Sequence, residues 1–284
     1  EEILISNPKA AAIIRPADGG TISSLRSKTA GIELINSLKR RPEAYHRLVS
    51  QKSSESATAG GAPASIHDSV HCKESNLGGL LRYDRYARNA FRAYLFPRRK
   101  TWHDFDSLAL EEHEDLAQGG WEVDRGSDDP SHVKLVSPFA AGKNAQTQVA
   151  EKTFKLTATD DAWEIDCALG LSFEGGELMS VGMEIVLNLL APESHDRYYL
   201  AGGLRQPLGF RGEFDRPALT VVDEWQRLEI SLDAPESKWW IVPIETISQS
   251  ESGFERVYQG SALMAVWPES GGTRMVKMRV RGRR

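Results

Sequence analysis

Three segments of the chain carry side chains suited to chemistry. The first is Ser65-Ile66-His67-Asp68-Ser69-Val70-His71-Cys72. His67 and His71 stand four residues apart, the spacing at which two imidazoles on one helical turn can share a metal ion. The serine and β-branched content reads instead as a strand, on which four residues separate the two rings by roughly 13 Å, too far for one ion. No metal site is expected. On that strand Asp68 shares a face with Ile66, Val70 and Cys72, and a carboxylate among apolar neighbours needs a counter-charge. Arg85 and Arg88, in Asp84-Arg85-Tyr86-Ala87-Arg88, are the expected partners in a structural ion pair. The second segment places Gly182, Glu184, Val186 and Asn188 opposite the apolar face of a strand. A carboxylate and an amide flanking an apolar residue suit a groove in which they take sugar hydroxyls while an aromatic covers the ring. An exposed strand face is the plain alternative. The third segment, Pro243 to Gly260, holds Glu245, Glu251, Glu255 and Gln259 directly after Trp239-Trp240. Paired carboxylates could work on a glycosidic bond as acid and base, and a hydrogen-bonded corner is the structural alternative. The candidate sugar-binding set is therefore His67, Glu184, Asn188, Trp239, Glu245, Glu251 and Gln259. No residue is assigned a catalytic role.

The elements that must position these residues are mostly strands. Trp163, Ile165, Cys167, Leu169, Leu171 and Phe173 fall on every second position, the period of a strand with one buried face. Val181, Met183, Ile185, Leu187 and Leu189 repeat the pattern after Glu174-Gly175-Gly176-Glu177, which reads as an antiparallel hairpin. Leu228-Ile230-Leu232, Leu263-Ala265-Trp267 and Val276-Met278-Val280 continue it. Strands following strands without intervening helices exclude a doubly wound sheet or a β/α barrel and predict an all-β antiparallel two-sheet sandwich. Earlier, Ala11–Arg15 and Thr21–Leu25 flank a Pro-Ala-Asp-Gly-Gly turn. Pro42 beside Glu43 predicts a short helix over Pro42–Val49. Residues 50–64 lack periodicity and read as a flexible loop, and Glu111 to Asp115 as a solvated acidic stretch.

Composition closes off other classes. The 284 residues are 40% hydrophobic and 26% charged, enough to build one large core. A formal charge of −5 argues against a nucleic-acid partner, and no apolar run approaches the roughly 20 residues of a membrane span. Cys72 and Cys167 read as buried thiols rather than a disulfide framework. Neither a nucleophile elbow nor a phosphate-cradling glycine loop is present, and no cofactor is expected. The opening Glu1-Glu2-Ile3-Leu4 lacks a signal-peptide pattern and an initiator Met, which suggests a processed end or a cut within a longer gene, with a cytoplasmic location.

Several of these segments together resemble one family. Gly19-Gly20-Thr21-Ile22-Ser23-Ser24-Leu25, Leu38-Lys39-Arg40-Arg41-Pro42-Glu43-Ala44-Tyr45-His46, Ser65-Ile66-His67-Asp68, Leu81-Arg82-Tyr83-Asp84-Arg85-Tyr86-Ala87-Arg88-Asn89-Ala90-Phe91, and Pro243 through Ser261 occur in the order found in the C-terminal β-sandwich domain of glycoside hydrolase family 57 α-amylases and 4-α-glucanotransferases. The resemblance spans nearly the whole chain. It implies one galactose-mutarotase-like, carbohydrate-binding sandwich over residues 1–284, following a catalytic β/α barrel upstream in the same gene. It further implies an α-glucan or maltooligosaccharide as a weakly held partner. The barrel's catalytic carboxylates have no counterparts in this chain. The sequence departs from the family where Asp-His usually follows the tyrosine-arginine segment, because Phe91-Arg92-Ala93-Tyr94 stands there instead. Two other functions stay open. A mutarotase-like epimerase would pair His67 with Glu184 or Glu245, by analogy of fold, and a pure protein-interaction scaffold would need neither.

Overall fold

The computed structural model describes residues 1–283 except 36, 56–73, 75, 125, 127–128, 141–146, 172–177, 251–252 and 270. In chain order its strands are β1 Ile3–Ser6, β2 Ala10–Arg15, β3 Thr21–Ser27, β4 Ile32–Glu33, β5 Arg92–Pro97 and β6 Glu122–Asp124. Next come β7 His132–Ala140, β8 Thr147–Ala158, β9 Ala162–Leu171, β10 Met179–Leu187, β11 Arg197–Ala201 and β12 Leu204–Pro207. The last are β13 Gly212–Phe214, β14 Ala218–Asp223, β15 Leu228–Asp233, β16 Lys238–Ser250, β17 Gly253–Trp267 and β18 Gly272–Gly282. Among the described residues three α-helices accompany them: α1 His46–Glu55, α2 Trp102–Asp106 and α3 Glu114–Gln118.

The strands form a four-stranded sheet (β1-β2-β3-β4), a five-stranded sheet (β13-β16-β17-β10-β5) and a nine-stranded sheet (β12-β11-β14-β15-β18-β9-β8-β7-β6). Every ladder between them is antiparallel. The all-β sandwich expected from the alternation is therefore the architecture. Its main core lies between the nine- and five-stranded sheets, where Trp163, Ile165 and Cys167 of β9 join Val181, Met183 and Ile185 of β10 in one buried cluster. The four-stranded sheet adds Ile5, Ile14, Ile22 and Leu25 to it.

A second buried cluster lies on the opposite face of the five-stranded sheet. There Tyr94, Phe96, Val186, Trp240, Val242 and Met264 pack with Phe105 of α2, Leu110 and Ala117 of α3. This cover explains why β10 is buried at all nine positions.

Covering both faces overturns one pairing. The expected hairpin between the 163–173 and 181–189 runs does not form, since β9 pairs with β8 and β18 while β10 pairs with β5 and β17. The acids on β9 account for its place in the sheet with a solvated face. Glu164 is 16% exposed in its side chain and meets Arg279 at 3.0 Å and Lys277 at 3.5 Å on β18. β10, apolar at most positions, fits the middle of the doubly covered sheet.

The other local readings hold or shift at their ends. Ala10–Arg15 and Thr21–Ser27 pair as expected around a turn in which Gly19 and Gly20 have φ of +66° and +55°. A Cβ on Gly20 would also come within 3.0 Å of the Trp121 ring. The helix expected over Pro42–Val49 begins later, at His46, and continues through Glu55 into the stretch read as a loop. Val49 draws it there by packing with Leu77, Ile247 and Phe254. Residues 56–64 of that loop lie outside the described residues. Glu112, in the stretch read as solvated, has a side chain only 5% exposed, because it accepts the Tyr86 hydroxyl and meets Arg85 at 3.4 Å.

Candidate functional site

Under the cover of the five-stranded sheet runs a ladder of buried charges. Glu184 of β10 is fully buried; its Oε1 accepts Arg88 Nη1 at 2.7 Å and its Oε2 accepts the Tyr94 hydroxyl at 2.5 Å. Arg88 Nε donates to Asp84 Oδ1 at 2.9 Å. Arg40 grips the same carboxylate with Nε at 2.8 Å and Nη2 at 2.7 Å, while its backbone N–H donates at 2.9 Å. Burial alone would raise the Asp84 pKa, but the hydrogen bonds from Arg40 and the charges of Arg88 and Arg40 outweigh it and bring it to about 2. Every member has an opposite charge or a donor, which is the condition for keeping ions in an interior.

Arg92 and Lys152 pin the neighbouring backbone. The Arg92 guanidinium, fully buried, donates to Asp18 Oδ1 and to Ala87 O, each at 2.9 Å, and to Ala117 O, and it lies 4.3 Å from the centre of the Tyr86 ring. Lys152 Nζ donates to the carbonyls of Gly19 at 2.8 Å, Gly20 at 3.1 Å and Phe91 at 3.1 Å. Three acceptors match the three donors of an ammonium group. Burial nonetheless lowers the Lys152 pKa to about 7, helped by the charge of Arg92 and opposed by Cys167.

The ladder ends at the surface. Arg40 Nη1 reaches the carbonyl of Glu245 at 3.4 Å, and there the 38–46 segment, the 80–82 segment and residues 245–248 of β16 line a groove of about 230 Å³. β16 bends at this point, because its pairing with β17 shifts register between Ile244 and Glu245. Glu245 is held by Arg211 and by Arg256, the latter at 3.4 Å. Burial raises its pKa, opposed by Arg211 and Arg256. Gln259 Nε2 donates to Thr246 Oγ1 at 3.0 Å, and the Tyr45 hydroxyl donates to Ile247 O at 2.9 Å. His46 closes one end. Its Nδ1 accepts the Glu43 backbone N–H at 3.1 Å and lies 3.2 Å from the Tyr83 hydroxyl.

The structure thus places Glu245 in the groove wall, with Gln259 bonded to the wall residue Thr246, and takes other candidates away from any surface. Glu184 is in the charge ladder, not on a groove wall, because α2, α3 and their flanks cover that face of β10. Trp239 is fully buried in the main core, with its indole N–H donating to Pro217 O at 3.0 Å, so it offers no platform to a sugar. Asn188 follows β10, with its backbone N–H bonded to Leu34 O at 2.7 Å, apart from the groove. His67, Asp68 and Glu251 lie outside the described residues. Arg88 takes Asp84 and Glu184 as its counter-ions, and Arg85 meets Glu112. Sequence reasoning missed Arg40, Asp84, Arg211 and Lys152. The i, i+4 spacing of Asp84 and Arg88 was a signal for part of the ladder; nothing local marked Lys152. Among the described residues no three His, Cys, Asp or Glu side chains gather as metal ligands, and no helix is long and apolar enough to cross a membrane.

The fold is that of galactose-mutarotase-like sandwiches. A galactose mutarotase-like protein from Lactobacillus casei superposes with a TM-score of 0.50 at 12% identity, covering 99% of both chains. A 4-α-glucanotransferase structure from Thermococcus litoralis gives a TM-score of 0.71 at 21% identity, covering 99% of this chain and 39% of that one. The family described as alpha-amylase/4-alpha-glucanotransferase, C-terminal, matches residues 1–279, and the chain belongs to it. Alpha-amylase 1 of Dictyoglomus thermophilum is 31% identical over 277 residues, which is 93% of this chain. The 4-alpha-glucanotransferase of Thermococcus kodakarensis is 24% identical over 276 residues, 95% of this chain. The match spans 37% of the length of each of these two relatives.

Proposed function

We propose that this chain is the non-catalytic accessory domain of an α-glucan-active enzyme and binds glucan in the groove between the 38–46 segment, the 80–82 segment and residues 245–248. The convergence of those segments carries the reading: parts of the chain some 200 residues apart meet in one hollow of mixed polar and apolar lining, with Tyr45 and His46 in its walls. Carboxylate, hydroxyl and guanidinium groups offer sugar hydroxyls both donors and acceptors, and tyrosine edges offer the apolar contact. A relative named for α-amylase activity and another named for glucanotransferase activity support α-glucan as the sugar class. The epimerase alternative loses one of its two acid–base pairs, since Glu184 is buried and bound by Arg88 and Tyr94.

Calorimetric titration with maltoheptaose tests the proposal. A millimolar Kd is expected, because an open site recovers little after desolvation and ordering. Glu245→Gln, which keeps shape but removes a charged acceptor, is expected to weaken binding about tenfold. No heat at any chain length from maltose to maltoheptaose would leave packing against a catalytic barrel as the domain's role.

A further inference from the structure

The charge of the groove is unlike that of the molecule around it. The chain carries a net −5, yet Lys39, Arg41 and Arg82 all line the hollow without a carboxylate partner. Arg82 spends its donors on the carbonyls of Gly79 at 2.7 Å, Leu81 at 3.2 Å and Asp106 at 3.3 Å. Lys39 Nζ donates to Arg85 O at 2.6 Å. Arg41 is exposed and has no hydrogen bond or ion pair to any described residue. Backbone carbonyls satisfy donors without cancelling the positive charge. On the acidic side, Glu245 is already neutralised by Arg211 and Arg256, leaving Glu43 on the exposed rim as the opposing carboxylate.

His46 supplies an independent observation. It is 9% exposed, and because the Glu43 amide donates to Nδ1, the ring proton sits on Nε2. Among the described residues that Nε2 has no acceptor. A buried donor without an acceptor is costly, and His46 is one of the residues lining a hollow already rich in guanidinium donors. What the hollow lacks is acceptor oxygen carrying negative charge.

We infer that the groove takes an α-glucan bearing a phosphomonoester, an inference that rests on the glucan reading above and names its substrate class more narrowly. The phosphate would lie between Arg41, whose unengaged planar fork matches its oxygens, and Arg82, which contributes its charge and its Nη2, with Lys39 as a point charge and the Tyr45 side of the groove left to the sugar. A neutral oligosaccharide would fill the same walls but leave the cations uncompensated.

The test compares maltotetraose with maltotetraose carrying a 6-phosphate, each titrated calorimetrically into the full chain. The phosphorylated sugar is expected to bind about tenfold more tightly, and that preference is expected to vanish in about 0.5 M NaCl, where screening reaches a few ångströms. Arg82→Gln should abolish the preference, so that the phosphorylated and neutral sugars bind within about twofold of each other. Arg41→Gln, at a side chain without contacts, repeats the test if loss of Arg82 disturbs the 79–81 backbone. Equal affinities at low salt would overturn the inference and leave the glucan reading standing. Failure of both sugars to bind would overturn the glucan reading itself. Inorganic phosphate binding as tightly as the phosphorylated sugar would reduce the cations to a general anion site and overturn the inference.

Discussion

At the scale of single residues, the interior of this domain is governed by two titrating groups that act at opposite ends of the pH range. Asp84 is held near pKa 2 in the fold against an ordinary 3.8, so the folded state keeps its carboxylate charged where the unfolded chain takes up a proton. Its stabilisation is complete above 3.8 and is lost as pH falls through about 2. Unfolding free energy is expected to drop by about 2 kcal/mol across that window, and urea titrations of Asp84→Asn should show a shallower dependence there. Lys152 works in the other sense. The unfolded chain keeps the proton up to the ordinary 10.5 while the folded chain releases it near 7, so stability climbs with pH above 7. Cys167, whose thiol burial pushes up to about 12, opposes that climb above 9, because only the unfolded chain then ionises. A rise of about 2 kcal/mol between pH 7 and 9, followed by a plateau, is the expected profile. Lys152→Met should remove the rise.

At the scale of elements, the long β16–β17 hairpin carries the groove, and its bend decides where Glu245 points. The register shift between Ile244 and Glu245 falls opposite Gly260, whose φ is +151° and where a Cβ would lie 2.6 Å from the carbonyl of Leu187. Neither the angle nor the space admits a side chain. Gly260→Ala is expected to cost about 2 kcal/mol and to loosen the groove wall, read as a lower urea midpoint together with weaker maltoheptaose binding. The strands themselves were legible where one face meets solvent. Trp163 to Leu171, Leu228 to Leu232 and Val276 to Val280 announce themselves by alternation, because solvent demands polar residues on one side. Pairing was not legible. β10 joins β17, whose partner positions lie about eighty residues further along the chain, and a local turn of Gly175-Gly176 suggested the wrong neighbour. Trp239-Trp240 shows the same difficulty at close range. Adjacent strand residues face opposite ways, so two buried tryptophans in succession require a sheet covered on both sides, a fact supplied by α2, α3 and their flanks.

At the scale of the whole molecule, the domain is a sandwich with an added layer, and that layer divides the expected site in two. Glu184 went inward to the charge ladder and Glu245 stayed at the surface, although both are acids on strands of the same five-stranded sheet. Only the position of each along the sheet, under the cover or beyond it, separates them, and local sequence does not carry that information. Parts of the segments that carry the family resemblance, within 38–46, 81–91 and 243–260, build the groove and the ladder beneath it. Arg92, in the Phe91-Arg92-Ala93-Tyr94 stretch, ties Asp18, Ala87 and Ala117 together, a structural task. The groove is the proposed place where sugar meets the domain. Backbone amide chemical shifts recorded during titration with maltoheptaose test this most directly. The expected result is movement confined to residues 38–46, 80–83 and 245–248, with a common millimolar midpoint. Unchanged amides in those three segments, with shifts clustered instead around the exposed Trp225, would contradict it.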